Sequence, residues 1–274
     1  MITSTANEKI KHVTALQQKA KLRREESLFV IEGGRLFWEA PVSAIQEVYV
    51  SERFLENADV KMKEKLMETG YETVSEQVFG KMSDTKAPQG ILAVLAQQKY
   101  EKEALLGISP LLLLLENIQD PGNLGTIMRT AEGAGVTGVV MSRDCADIYQ
   151  PKAVRSTMGS LFRVPFYQAE DFCHEIKFLQ GRNIKVYAAY LEGSDIYDAM
   201  DYQGGSAFVI GNEGNGLRRE TAAAADACVR IPMAGKLESL NAGISAALLV
   251  YEAARQRRCG AGVRQAESLS RNRI

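Results

Sequence analysis

Five polar side chains stand where short loops would let them act on a ligand: Asn123, Arg129, Glu213, Ser239 and Asn241. They fall in three stretches, residues 117–129 (NIQDPGNLGTIMR), 210–217 (IGNEGNGL) and 231–241 (IPMAGKLESLN). Each is a turn rich in glycine, proline or asparagine joined to an apolar run, which predicts a loop at the edge of a buried sheet. Loops held by a rigid scaffold are where binding and chemistry concentrate. The groups on offer are amides, a hydroxyl, one carboxylate and one permanent cation, a set suited to orienting a ligand and stabilising developing charge. His12 and His174 lie near none of the three stretches, and Cys145, Cys173, Cys228 and Cys259 form no C-x-x-C. A zinc site or a disulfide framework is not expected, and no metal is called for.

Each residue also has a plain structural reading. Asn123 has the short side-chain amide of a helix cap, and Ser239 and Asn241 are capping types ahead of a long apolar segment. Arg129 lies about one and two-thirds turns beyond Asn123 and so on a different helical stripe; it is either an exposed helix arginine or a grip for a phosphate or oxyanion. Because a guanidinium stays protonated in proteins, it is discounted as a base. In the second stretch Gly211, Gly214 and Gly216 give the spacing G-x-x-G-x-G, unlike the dinucleotide fingerprint G-x-G-x-x-G, and no Walker lysine follows. Asp226 is too close to serve as the ribose-binding acid of a dinucleotide site and Arg230 has the wrong charge, so a nucleotide-dependent oxidoreductase fails on spacing. Glycines here let backbone approach a ligand closely, and Glu213 within the turn is either directed at that ligand or caps a helix.

The elements that must position these groups fall into two parts. A chain of 274 residues suits about two domains of ~100–150 residues each. In residues 1–97 a helix over 10–20 is followed by strands at 28–31, 47–50, 71–74 and 91–95, with helices at 34–40, 58–69 and 76–82 between them, a small α/β layer fold. Residues 98–109 are polar and read as a linker. From residue 110 the strands are solid apolar runs at 111–115, 138–141, 185–189, 207–210 and 227–231, which predicts a parallel sheet covered on both faces by helices at 125–134, 170–179, 218–225 and 242–256. The catalytic part is taken as 110–258 and the remainder, 259–274, as a basic tail.

The composition, 46% hydrophobic and 24% charged with a net charge of −1, is that of a soluble globular protein. The densest apolar run, 111–115, is far short of the ~18 residues that span a bilayer. No secretory signal is readable at the N-terminus, so a cytoplasmic location is expected. The charge is uneven: Lys9, Lys11, Lys19, Lys21, Arg23 and Arg24 crowd the first part, and Arg255, Arg257, Arg258, Arg264, Arg271 and Arg273 the last. Basic ends on an acidic body suit local phosphate contacts, with a solvated helix face and a free tail as the alternative.

Taken together and in order, the three stretches resemble the signature motifs of the SpoU (TrmH) family of RNA 2′-O-ribose methyltransferases in the SPOUT superfamily. The resemblance implies an S-adenosylmethionine-dependent enzyme and, against the usual rule of unthreaded connections, a C-terminal trefoil knot holding the cofactor. It implies a catalytic set of Asn123, Arg129, Glu213, Ser239 and Asn241, and cofactor contacts from Gly211, Glu213, Ile231, Met233 and Leu240. A fourth patch, residues 151–162 (PKAVRSTMGSLF), matches a family loop near the cofactor and adds Ser156 and Gly159, with Arg155 toward RNA. The stretches 29–33 and 82–90 resemble the substrate-binding domain that precedes many SpoU catalytic domains and is similar to ribosomal protein L30e; Lys19, Lys21, Arg23 and Arg24 are its RNA-contact candidates. Such an extra domain favours ribosomal over transfer RNA. A homodimer is implied as well, and the apolar stripe Ala246, Leu249, Val250 and Ala253 would be buried against either a partner or the domain's own sheet. A non-catalytic RNA-binding protein of the same fold is the competing expectation, disfavoured by the intact polar set.

Overall fold

A computed structural model describes residues 1–192 and 195–271, with side chains as far as Gly260. The chain forms two compact units, Met1–Gln98 with Asp147–Arg163, and Lys99–Ala146 with Val164–Ile274.

The first unit holds a four-stranded sheet, β1 (Leu28–Glu32), β2 (Ile45–Ser51), β3 (Glu72–Val74) and β4 (Ile91–Ala96), in the order β1-β4-β2-β3. β4 is antiparallel to both neighbours, and β2 and β3 are parallel. Helix Glu8–Gln18 starts where the Asn7 side chain accepts the Lys9 N–H, and buries Ile10, Val13 and Leu16 beside Tyr49, Val78 and Phe79. The single first helix expected from periodicity is broken at Lys19, which is extended (φ −112°, ψ 102°), and a second helix, Ala20–Glu26, follows. Three further helices begin at side-chain caps: Glu52–Asn57 at Ser51, Val60–Thr69 at Asp59 and Glu76–Met82 at Ser75.

Two expectations change in this unit. Arg23 is not a surface cation: it is 3% exposed, its Nε and Nη2 donate to Asp147 at 2.9 and 2.7 Å, and its Nη1 donates to the carbonyls of Leu16 and Gln17. Four of the five guanidinium N–H groups are thus engaged within the unit. The segment Asp147–Arg163 belongs to this unit and not to the 110–258 block. It is held by the Arg23–Asp147 pair, by Tyr149 against Phe29 at 4.7 Å between ring centroids, by Arg155 to Asp84 at 2.9 Å and by Arg163 to Glu39 at 2.7 Å. The patch read as a loop is mostly a helix, Pro151–Thr157.

The second unit is built on a seven-stranded, all-parallel sheet: β5 (Leu111–Leu115), β6 (Gly138–Met141), β7 (Phe166–Gln168), β8 (Lys185–Ala189), β9 (Asp195–Ile196), β10 (Ser206–Ile210) and β11 (Ala227–Arg230), in the order β7-β6-β5-β10-β8-β11-β9. β5 and β10 are buried at every position, as the solid apolar runs predicted. Alternate residues serve opposite faces. Leu112, Leu114, Val186, Ala207 and Val209 join Ile176 and Leu179 of helix Phe172–Gln180 in one cluster. From intervening positions Tyr187 and Phe208 meet Tyr202, with ring centroids 4.9–5.7 Å apart. The stripe Ala246, Leu249, Val250 and Ala253 is fully buried where helix Ala242–Arg271 packs on helix Pro121–Ala134 and β10, so it serves the domain's own core.

The stretch expected as a linker is also used. Its short 3₁₀ turn, Lys102–Leu105, buries Leu105 against Gly138, where a Cβ would lie 2.3 Å from the leucine Cγ. Lys102 pairs with the buried Glu175. Of the tail expected at 259–274, Arg264, Arg271 and Arg273 lie outside the described side chains.

Removing one partner of a buried ion pair strands the other charge. Asp147→Ala is expected to destabilise the first unit by about 3 kcal/mol, read as a lower midpoint in urea unfolding; an unchanged midpoint would show that Arg23 is satisfied without it.

Candidate functional site

At the end of β5, Glu116 turns inward and is 1% exposed. Its carboxylate accepts the Arg218 N–H at 2.8 Å and the Thr221 hydroxyl, and its own N–H donates to Ile210 O at 2.9 Å. The ends of β5 and β10 are thereby tied to each other and to the start of helix Arg219–Ala224. Asn117 follows with φ 54°, and helix Pro121–Ala134 starts at Asp120, whose carboxylate accepts the Asn123 N–H at 2.8 Å. Asn123 is therefore not the cap. It stands in the first turn with its amide free for other partners.

Those partners come from the other two stretches. Asn123 Nδ2 donates to Glu213 Oε1 at 2.9 Å, and Asn123 Oδ1 accepts Asn241 Nδ2 at 3.0 Å. Glu213 Oε2 accepts the Gln119 N–H at 3.3 Å. Asn241 Oδ1 accepts the N–H groups of Gly243 and Ile244 at 2.9 and 3.4 Å, so its capping role at helix Ala242–Arg271 and its link to Asn123 coexist. Donors run in one direction along this chain of side chains and end on the carboxylate.

The glycine-rich turn folds back on itself. Asn212 and Gly216 exchange backbone hydrogen bonds at 3.0 Å, and Asn212 Oδ1 accepts the N–H groups of Gly214 and Asn215. Asn212 Nδ2 donates to Asn117 O at 2.8 Å. A Cβ on Gly211 would lie 2.4 Å from the Gly216 carbonyl carbon and 2.5 Å from Leu217 N, which leaves room only for glycine. Beside this turn opens a cavity of about 520 Å³, within the ~300–1,000 Å³ usual for small-molecule sites. Ile210, Leu217, Ile231, Met233 and Leu240 supply apolar wall, while Glu213, Glu238, Ser239 and Ser245 supply polar edge.

Of the residues singled out from sequence, Gly211, Glu213, Ile231, Met233, Ser239 and Leu240 line this cavity, and Asn123 and Asn241 join it through Glu213. Arg129 is exposed on the same helix as Asn123, with no hydrogen bond or ion pair among the described residues. Ser156 and Gly159 belong to the first unit. Ser156 Oγ donates to Lys152 O, and Gly159 (φ 93°) sits against the Glu39 carboxylate, both within the first unit. Arg155 is half-buried on Asp84 there, whereas Lys19, Lys21 and Arg24 are exposed. Sequence reasoning passed over Glu116 and Asn212. An acid directly after five consecutive leucines was the available signal for Glu116, since a carboxylate at the end of a buried strand must find donors. Among the described residues no group of three His, Cys, Asp or Glu side chains could hold a metal ion.

Residues 110–251 match the model of the SpoU rRNA Methylase family, and residues 7–93 that of the MRM3-like substrate binding domain. The chain belongs to the SpoU rRNA methylase family. It is similar to the 23S rRNA (guanosine(2553)-2′-O)-methyltransferase RlmP of Bacillus subtilis, with 33% identity over 254 residues, 91% of this chain and 97% of that one. Among solved structures, the SpoU methyltransferase AviRb from Streptomyces viridochromogenes aligns with a TM-score of 0.81 at 26% identity, over 93% of this chain and 99% of its own. An AdoMet-bound rRNA methyltransferase from Sinorhizobium meliloti aligns with a TM-score of 0.81 at 30% identity, over 93% and 97%. The expected fold, a small α/β domain followed by a parallel-sheet SPOUT domain, is thus the fold of a SpoU member.

In this member the closure of the glycine turn is testable without a ligand. Gly211→Ala drives a methyl group into the backbone of Gly216 and Leu217 and is expected to cost about 1–3 kcal/mol in urea unfolding. A neutral substitution would mean that the turn is looser than its Asn212–Gly216 bridge indicates.

Proposed function

We propose that this protein transfers the methyl group of S-adenosylmethionine to a ribose 2′-hydroxyl of ribosomal RNA. The observation that carries the reading is the joining of Asn123, Glu213 and Asn241, from three distant stretches, at the edge of a cavity sized for a small cofactor. Family membership and the names of the aligned relatives point the same way. The substrate-binding match over 7–93 supports ribosomal RNA over transfer RNA.

The residues present fit the cofactor. Ile231, Met233 and Leu240 provide apolar surface for an adenine, and the turn that Gly211 lets close presents Gly211, Gly214 and Gly216 in the cavity lining, where glycines allow backbone N–H and C=O groups to approach it closely. A trefoil knot would run through the segments that line this cavity. When bound, the sulfonium supplies an already activated methyl group, so the chain's task is alignment and stabilisation of the attacking oxygen. The Asn241–Asn123–Glu213 chain fixes the helix bearing Arg129 against the cavity turn. Arg129, exposed and without a partner among the described residues, is assigned to the phosphate beside the target and to the developing 2′-oxyanion. Ser239, exposed at the cavity edge, is assigned to orienting the reacting groups. In the first unit Lys11, Lys19 and Lys81 share a groove with Thr5, Thr14 and Gln18, a surface matched to an RNA backbone.

No helix among the described residues is long and apolar enough to cross a membrane, and the reading places the protein in the cytoplasm with its substrate. It also includes a homodimer. Helix Ala242–Arg271 leaves Ile244, Leu248 and Tyr251 exposed at 52%, 36% and 47%, an apolar stripe at helical spacing opposite the buried one.

Ribose-methylation mapping of total RNA should show one site present with the gene and absent without it; identical maps would remove the reading. Arg129→Ala should lower turnover by at least ~100-fold, the scale of one lost transition-state donor, with S-adenosylmethionine affinity unchanged by calorimetry. Arg129→Lys should recover little, because an ammonium lacks the planar fork. Sedimentation at micromolar concentration should give a dimer that Leu248→Glu with Tyr251→Glu converts to monomer; a monomeric parent would exclude it.

A further inference from the structure

Trp38 is the only tryptophan of the chain, and it is 49% exposed on a helix, Gly34–Glu39, whose Leu36 and Phe37 are buried. Its backbone is pinned. Lys65 Nζ donates to the carbonyls of Trp38 and Ala40 at 2.8 and 2.7 Å, and the ammonium stands 5.8 Å from the indole centroid and 5.3 Å from that of Phe37. One turn earlier Arg35 donates to Glu39 at 3.2 Å, and Arg163 donates to the same carboxylate at 2.7 Å. The two guanidinium side chains keep 66% and 42% of their surface exposed. Three cations, Arg35, Arg163 and Lys65, thus meet this short helix, the two arginines through Glu39 and the lysine at its last carbonyls.

We propose that Trp38 is a stacking platform for an unpaired base of the RNA, with Arg35 and Arg163 facing the flanking phosphates. The proposal rests on the reading that the substrate is RNA. A large aromatic face in water is a recognised binding surface when polar groups rim it. Here the rim is cationic, which suits an aromatic base on a phosphate chain better than an apolar protein face. Unpaired bases are recognised by stacking on such rings and on arginine planes, while paired bases are already stacked on each other. Because the helix is capped by Lys65, stacking would require little reordering of the platform.

The single tryptophan makes the test direct. A short oligoadenylate titrated into the full-length protein should quench its tryptophan emission saturably, and the same strand paired with oligouridylate should quench it far less. With a fluorescein-labelled strand, Trp38→Ala should weaken single-strand binding about 5- to 100-fold, Trp38→Phe should restore most of it, and duplex binding should hardly change. Unchanged S-adenosylmethionine affinity in both variants would report an intact fold. Emission that stays unquenched at saturating RNA, a parent that binds no oligoadenylate, or equal affinity in Trp38→Ala would overturn the platform. Quenching that tracks protein concentration without RNA would assign the face to a second copy and overturn it too. The two readings fail separately: ribose methylation retained with Trp38→Ala binding normally removes only the platform, and quenching by RNA in a protein that methylates nothing removes only the methyltransferase.

Discussion

Asn123 has one amide and two partners, and the site depends on its serving both. Its Nδ2 reaches Glu213 and its Oδ1 receives Asn241. An aspartate there could not donate to Glu213, and a leucine could do neither. Glutamine would add a methylene in a first helical turn already fixed by the Asp120 cap. Each hydrogen bond contributes only about 1 kcal/mol net, more to a charged acceptor. Their value is geometric, because three loops separated by up to 118 positions are held in one register while each remains free to present its other atoms.

Two buried groups keep that register from drifting. Glu116 would be costly at 1% exposure if unpaired. Its bonds to Arg218 N–H and Thr221 make it a clamp on the far end of the glycine turn, as Asn212 clamps the near end to Asn117. Gly211 then lets the turn close on itself with no side chain between its two limbs. The parallel strands β5 and β10, paired residue for residue from Leu111 with Ser206 to Leu115 with Ile210, set the starting points of both loops.

Much of this was legible because solid apolar runs announce buried parallel strands and glycine-rich turns announce the loops after them. What escaped was short or long-range. β7 is three residues with one exposed, and β9 is two exposed residues; neither offers a period to read. The break at Lys19 follows no proline or glycine. The seating of Asp147–Arg163 in the first unit depends on Arg23 meeting Asp147 across 124 positions, which no local pattern records, and the same contact hides an arginine that charge counting put on the surface. The cap at Asp120 was readable in principle, since proline is favoured at the first helical position and Pro121 marks it. Asn123 competed because both residue types cap helices.

The contrast between Asn123 and Arg129 on one helix carries the last step. The asparagine is locked before any ligand arrives, whereas the guanidinium stands in water without a partner among the described residues. Locking a long cationic side chain costs about 2 kcal/mol of rotamer entropy, and an intramolecular carboxylate that did so would also neutralise the charge a phosphate needs. Glu213 is engaged by Asn123 and the Gln119 N–H. The helix therefore carries one polar side chain committed to joining the three loops and another, six residues on, whose exposed charge suits an anionic substrate.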